Sequence, residues 1–191
     1  MKKRLIVFAL PFVVLACNNE AKDSVEKADS ANEAKMDSNS TTSQTLQTDA
    51  ESSQFLVKAA DGGMAEVDMG NMANQKAASS SVKKYGAMLV KDHSAANDQV
   101  KALAAQRNVT LPATVSDANK TKMDDIMKKS GKDFDKAYMD AMIKDHEKDI
   151  DMFKDASNKV NDAEVKSFVD NTLPKLQIHL DSARAIRKML K

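Results

Sequence analysis

From Ser53 to Leu190 the apolar positions recur at steps of three and four, and no stretch alternates with period two over the length of a strand. That is the signature of helices with one buried face. The first periodic segment runs from about Ser53 to Lys76, with Phe55, Ala59, Gly62, Glu66, Met69 and Ala73 on its seam. The second runs from about Ser81 to Arg107, with Ser80 or Ser81 as N-cap and a seam of Val82, Tyr85, Leu89, His93, Ala96, Val100 and Leu103. Residues 108–116 carry Pro112 and read as a loop, and Asp117 to Lys129 as a short helix closed by Ser130-Gly131. The third long segment, about Asp133 to Asn158, has Phe134, Tyr138, Met142, His146, Ile150 and Phe153 on its seam. The fourth, about Asp162 to Leu190, has Val165, Phe168, Thr172, Leu176, His179, Ala183, Ile186 and Leu190.

Four long amphipathic helices predict an all-α fold, a four-helix bundle with a short extra helix in the longer connection between the second and third. Two places resist continuous helix. Asp61-Gly62-Gly63 reads as a turn, since each interior glycine costs about 1 kcal/mol relative to alanine. Pro174 removes one backbone hydrogen bond and should kink or split the fourth helix, where Thr172 offers a cap for a restart.

Before Ser53 the pattern changes twice. MKKRLIVFALPFVVLAC has a basic start at Lys2, Lys3 and Arg4, then an apolar run from Leu5 to Leu15 too short to span a bilayer as a permanent helix. Residues 1–16 therefore read as a cleaved export signal. Val14-Leu15-Ala16-Cys17 resembles a lipobox, with Val where Leu is usual at its first position. Cys17 is the single cysteine of the chain, which excludes an internal disulfide. Lipidation at Cys17 would tether the mature protein stably, because two or more acyl chains exceed the marginal hold of one. The expected place is the bacterial cell envelope, with the membrane as partner through the lipid. Asn18 rather than Asp after the cysteine favours the outer membrane. Residues 17–50 form the expected tether: apart from alanine, the apolar residues of 18–50 are Val25, Met36 and Leu46. Too little apolar surface is available there to offset ordering entropy, and a disordered linker with a span of roughly 30 Å is expected. Residues 51–191 are the bundle domain.

Charge adds little. Losing Lys2, Lys3 and Arg4 takes the basic residues from 29 to 26 against 28 acidic ones, and aromatics are 4% of the chain. With no basic block or basic-aromatic stripe, nucleic-acid binding has no footprint. No protein partner can be named.

The chemistry sits on the seams. The chain has three histidines. His93, His146 and His179 each fall on the apolar seam of a different long helix, and Glu66 falls on the seam of the remaining one. Two histidines end the similar phrases YGAMLVKDH (85–93) and YMDAMIKDH (138–146). Gly62, Gly63 and Gly70 flank Glu66 at positions that would let a neighbouring helix come close. One nitrogen or oxygen donor from each of four helices is how bundle cores build metal sites. Three imidazoles and a carboxylate would suit zinc, iron, manganese or copper. A metal-free buried polar network of the same residues is the competing reading. Asp92 and Asp145 point about 100° away from the histidines they precede and are placed to bond a neighbouring helix or solvent. Residues three before each histidine are Val90, Ile143 and Leu176, so the Glu-x-x-His of dinuclear iron bundles is missing and any metal would be a single ion. The twelve methionines read as adaptable core filling. No glycine-rich phosphate loop and no Ser-His-Asp arrangement is evident, so no catalytic residue is assigned.

The runs FLVKAADGGMAEVDMGNMA (55–73), VKKYGAMLVKDHSAANDQVKALA (82–104), FDKAYMDAMIKDHEKDIDMF (134–153) and VKSFVDNTLPKLQIHLDSA (165–183) resemble the domain of unknown function 4142 family over nearly all of 51–191. The shared motifs are Glu66 after the glycine pair, Asp92-His93, Asp145-His146-Glu147 and Thr172-Leu173-Pro174 followed by His179. The resemblance implies a bacterial envelope protein with a ferritin-like bundle, a first helix continuous through Gly62-Gly63 and a fourth that tolerates Pro174. It implies no reaction. Two functional expectations follow. One is a lipid-anchored envelope bundle with a non-enzymatic binding or envelope-stress role. The other is a metal-binding bundle with a mononuclear site of Glu66, His93, His146 and His179. A carrier of lipid or another apolar ligand is a weaker third.

Overall fold

Six helices account for the computed structural model, which describes residues 22–38 and 49–190: α1 (Ser24–Ser38), α2 (Ala50–Lys76), α3 (Ser80–Gln106), α4 (Asp117–Met127), α5 (Gly131–Lys159) and α6 (Ala163–Met189). The export signal and Cys17 lie outside the described residues. Among the described residues no helix is long and apolar enough to cross a membrane.

The four long helices pair as two hairpins, α2 with α3 and α5 with α6. These pack so that α2 also lies against α5, and α3 against α6. The diagonal partners α3 and α5 run parallel. Tyr85 and His93 of α3 meet Tyr138 and His146 of α5 in the same order along the axis, with ring centroids 6.4 Å apart for the tyrosines and 5.8 Å for the histidines. The connection from α3 to α5 must therefore travel back along the bundle, roughly 40 Å at 1.5 Å per helical residue. Residues 107–130, including α4, do this, which is the single long crossover of ferritin-like bundles.

Helix ends are held by acidic side chains. Asp49 caps α2 by accepting from the Ser52 amide at 2.9 Å. Ser79, not Ser80 or Ser81, is the N-cap of α3 and makes no side-chain cap bond. Instead the buried Asp135 of α5 accepts from the Ala78 and Ser79 amides at 3.0 and 2.8 Å, pinning the α2–α3 turn. At the other end Asp162 accepts from the amides of Glu164 and Val165 and so caps α6. It also takes a forked pair of bonds from Arg107, 2.7 Å from Nε and 2.5 Å from Nη2. These bonds hold the Asp162 carboxyl below its ordinary value.

The core falls into two blocks. One contains Phe55, Phe153 and Phe168, with ring centroids 5.0 to 6.3 Å apart, together with Leu56, Val100 and Leu176. The other contains Met69, Val82, Leu89, Phe134, Tyr138 and Met142. Buried Glu66, His93, His146 and His179 belong to neither block.

Gly62 and Gly63 do not make a turn: α2 is continuous through them. A Cβ on Gly63 would sit 2.0 Å from the Asn97 Oδ1 of α3, and one on Gly70 would sit 2.7 Å from the Gly86 carbonyl oxygen. These glycines set how closely α2 and α3 approach. Likewise α6 runs unbroken through Pro174, and Thr172 donates to the Phe168 carbonyl at 2.7 Å instead of capping a restart.

The expectation of a disordered linker over 17–50 is corrected for residues 24–38, which form α1. Hydrophobic pattern could not find this helix because polar side chains hold it. Asn32, 6% exposed, donates to the Thr110 carbonyl at 2.9 Å and accepts from the Thr110 amide at 2.7 Å. Lys35 donates to the Asn108 carbonyl and the Thr110 hydroxyl at 2.8 and 2.7 Å. These bonds satisfy backbone groups of the crossover loop that no secondary structure pairs, and Ala28 supplies the buried apolar contact.

Two outcomes are expected. Gly70→Ala should destabilise the fold by about 1–3 kcal/mol through overpacking. Gly62→Ala, whose Cβ would meet only Asp149 Oδ1 at an ordinary 3.8 Å, should stabilise it by up to about 1 kcal/mol. Urea unfolding of both variants checks the pair. Asp162→Asn should cost about 1–3 kcal/mol near neutral pH. Folded Asp162 keeps its charge below the ordinary 3.8 at which the unfolded chain takes up a proton. Its stabilisation is therefore complete above that value and is lost as pH falls through the depressed folded pKa. The stability gap between the unaltered protein and Asp162→Asn should shrink as pH drops below about 4; a gap that stays constant into strong acid contradicts the assignment.

Candidate metal centre

Each histidine reaches the bundle centre because its helix must bury the stripe it stands on. His93 follows Tyr85 and Leu89 along α3, His146 follows Tyr138 and Met142 along α5, and His179 follows Leu176 on α6. Their exposures are 7%, 0% and 2%, and that of Glu66 on α2 is 1%. All four predicted residues are brought together at mid-bundle. The ring centroids form a triangle with sides of 5.8, 5.2 and 5.3 Å. One nitrogen from each ring lies within 4.8 Å of the other two.

Glu66 closes one side of this triangle. Its Oε2 is 2.8 Å from His93 Nε2 and its Oε1 is 3.2 Å from His146 Nδ1. Neither contact has the alignment of a hydrogen bond, and Glu66 Oε1 and His93 Nε2 are left without a hydrogen-bond partner. Burial pushes the Glu66 carboxyl up, but His146 and His93 outweigh it and hold the carboxyl down in its ionised form. Burial likewise pushes His93 down, and Glu66 overrides it to leave the imidazole raised. For His179 burial wins and favours the neutral ring: its pKa is lowered although the bond to Asp92 pushes it up. Neutral imidazole is the form that binds a metal.

Two rings are oriented from behind. The His146 Nδ1–H donates to the Met142 carbonyl at 2.9 Å, which leaves Nε2 as the acceptor nitrogen, buried and without a partner. The His179 Nε2–H donates to Asp92 Oδ2 at 3.0 Å, which leaves Nδ1 buried and without a partner. Holding one ring nitrogen by a carboxylate or carbonyl, so that the other presents its lone pair, is how proteins prepare histidines for metals. Asp92 thus bonds across to α6, as its angle on α3 suggested. Asp145 bonds Lys122 of α4 at 2.7 Å.

The unpartnered buried polar atoms described belong to Glu66, Tyr85, His93, Tyr138, Asp145, His146 and His179. These residues gather around one place. Tyr85 stacks edge-on with Tyr138, and its ring lies 6.4 Å from that of His146. Burial, with Glu66 nearby, pushes both phenols well up, so they stay protonated. Native cores leave few buried polar atoms unpaired, and a cluster of them points to an ion or to water. The donor set of three imidazoles and a carboxylate fits a transition metal. Sequence reasoning missed the Met142 carbonyl, which has no residue-type signal, and Asp149, which stands one turn beyond Asp145 on α5.

Comparison with known proteins supports the architecture. Two solved structures share the fold. CopM in the Cu(II)-bound form superposes with a TM-score of 0.64 at 16% identity, over 73% of this chain and 97% of that one. CopM in the Ag-bound form (by co-crystallization) superposes at 0.60 with 17% identity, over 70% of this chain and 93% of that one. No curated protein matches the chain. Residues 20–186, which take in α1 and nearly all of the bundle, match the family described as Domain of unknown function (DUF4142), and the chain belongs to that family.

Proposed function

We propose that this protein is a transition-metal-binding helical bundle. His93, His146 and His179 are its nitrogen ligands and Glu66 is the carboxylate beside them. The observation that carries this reading is the triangle of buried imidazoles, two of them with an unpartnered ring nitrogen fixed by a bond on the opposite side. A metal-free polar network explains such a cluster less well, because it would pair those nitrogens with each other or with Glu66.

Among divalent first-row ions copper has the highest intrinsic affinity for nitrogen sites. CopM, similar in fold, is known with Cu(II) and with Ag bound. Copper is therefore the metal proposed, as a single ion. When bound, it supplies a charge that offsets Glu66. The chain's own residues orient the imidazoles and keep bulk water out. The activity proposed is capture or holding of the ion.

The first eighteen residues support a second proposal, that the protein is exported and tethered by lipid on Cys17 in the bacterial envelope, with Asn18 favouring the outer membrane. Cys17→Ser should release the protein from the membrane fraction or leave the uncleaved precursor. Membrane-bound, cleaved protein in that variant sinks the lipid assignment.

The metal reading is tested on the untagged full chain stripped of metal and titrated with Cu(II), Zn(II) and Ni(II), with bound metal and thermal unfolding as readouts. One equivalent of copper should bind. Free copper at a hundred times its dissociation constant should stabilise the fold by about 2.7 kcal/mol. His146→Ala with His179→Ala should abolish binding. Asp92→Ala should weaken it by about 10- to 100-fold, since it frees the His179 ring without removing a ligand. Less than about a tenth of an equivalent for every metal, or full binding in the double variant, overturns the reading.

A further inference from the structure

The four ligand residues are almost completely buried, so an ion needs a way in. Two cavities reach them, and the larger meets Glu66 alone. It has a volume of about 200 Å³, lies between α1, α2, α4 and α5, and has Glu66 in its wall. At about 30 Å³ per water it holds several waters or a partly hydrated ion. The smaller, about 30 Å³, shares Glu66 and Asp149 with it and touches His93, but apolar groups such as Val100, Phe153, Phe168 and Leu176 line much of it and it has room for about one water, too little for a hydrated ion.

The chemistry of the larger cavity is that of a cation passage. Asp61, Asp145 and Asp149 line it together with Glu66. Asp61 is committed to the fold, accepting from the Ser116 amide at 2.6 Å and from Asn119 Nδ2 at 2.9 Å to hold the start of α4. Asp145 spends Oδ1 on Lys122 at 2.7 Å, while Oδ2 is buried and unpartnered. Glu66 Oε1 is buried and unpartnered as well. Asp149 stands across from Gly62 on the same wall, its Oδ1 3.8 Å from where a Cβ on Gly62 would sit. Three acidic side chains on one wall, two of them with a buried unpartnered oxygen, form a place that suits a cation. Thioethers of Met69 and Met152 complete the wall and suit a soft ion. The cation now beside Asp145 is the Lys122 ammonium, carried on α4. Lys58 and Lys148 also line the cavity.

Resting on the metal-binding reading, we infer that this cavity is the port through which the ion reaches the histidines. Asp149 and Asp145 are its transit carboxylates, Glu66 its inner end, and Lys122 the resident cation that the incoming ion displaces. The crossover helix α4 supplies that lysine, so the long connection contributes to uptake as well as to topology.

A port residue lowers the barrier for both directions of passage. Its loss therefore slows association and dissociation equally and leaves the dissociation constant unchanged, whereas loss of a ligand weakens affinity through faster release. The chain has two tyrosines and no tryptophan; Tyr85 lies beside His146 and Tyr138 beside Tyr85, so quenching of tyrosine fluorescence by Cu(II) reports arrival at the site. In stopped-flow mixing of the full chain with Cu(II), and release to a chelator, Asp149→Asn should slow both rates by about tenfold, within the range of charge steering, with one equivalent still bound at equilibrium. Gly62→Leu, which fills the cavity without removing a carboxylate, should do the same. Lys122→Met should speed both rates several-fold. Unchanged rates in Asp149→Asn and Gly62→Leu, with copper bound by all proteins, overturn the port alone. Weakened equilibrium affinity in Asp149→Asn makes that residue a ligand and also overturns it. Absence of copper binding in the unaltered protein overturns the metal reading and the port with it.

Discussion

A carboxylate buried to 1% exposure governs this fold. An uncompensated charge in a protein interior costs several kcal/mol, and Glu66 is tolerated only because positive or dipolar partners surround it. His93 at 2.8 Å and His146 at 3.2 Å supply them. This requirement sets the height at which α2, α3 and α5 must align, and His179 brings α6 to the same level. The apolar core is divided accordingly, with the phenylalanine block on one side of the polar layer and the tyrosine–methionine block on the other. The glycines near Glu66 belong to the same constraint. Gly63 gives its space to Asn97, and Gly70 lets the backbone of α3 approach the backbone of α2, so the carboxylate lies within reach of an imidazole on the next helix.

Ferritin-like bundles with two irons place a carboxylate on each side of the metals and use Glu-x-x-His on two helices. Here apolar Val90, Ile143 and Leu176 occupy those places. The balance moves from carboxylate-rich to imidazole-rich, and from hard oxygen chemistry towards the nitrogen chemistry that copper and zinc favour. The carboxylates have not vanished from the bundle. Asp61, Asp145 and Asp149 stand outside the histidine layer, lining the cavity under α1 and α4. One scaffold thus has a nitrogen-rich interior and an acidic cavity beside it.

The long helices were legible because burial of a stripe imposes the 3.6-residue period on residue type, and their ends fall within about three residues of the expected positions. The same stripe revealed Glu66, His93, His146 and His179, since a polar residue on an apolar seam is conspicuous. Less legible was α1. Its anchoring by Asn32 and Lys35 to the Asn108–Thr110 backbone uses hydrogen bonds between segments more than seventy residues apart, and nothing in local composition marks such a partner. The glycine pair in α2 misled for the opposite reason. Its local preference for a turn is real but amounts to a couple of kcal/mol, and packing against α3 exceeds it.

By itself the sequence determined an all-α bundle of four long helices with one histidine or glutamate on each seam, because amphipathic period and helix caps are local properties. Only the tertiary structure decided that these four residues meet, that α3 and α5 run parallel so the crossover must span the bundle, and that Asp92 serves the histidine of α6 and not its own neighbour. The reason is geometric. Seam position specifies which way a side chain faces, while the height at which two helices align is set by packing between them, through glycine contacts and a buried charge that has to find its partners.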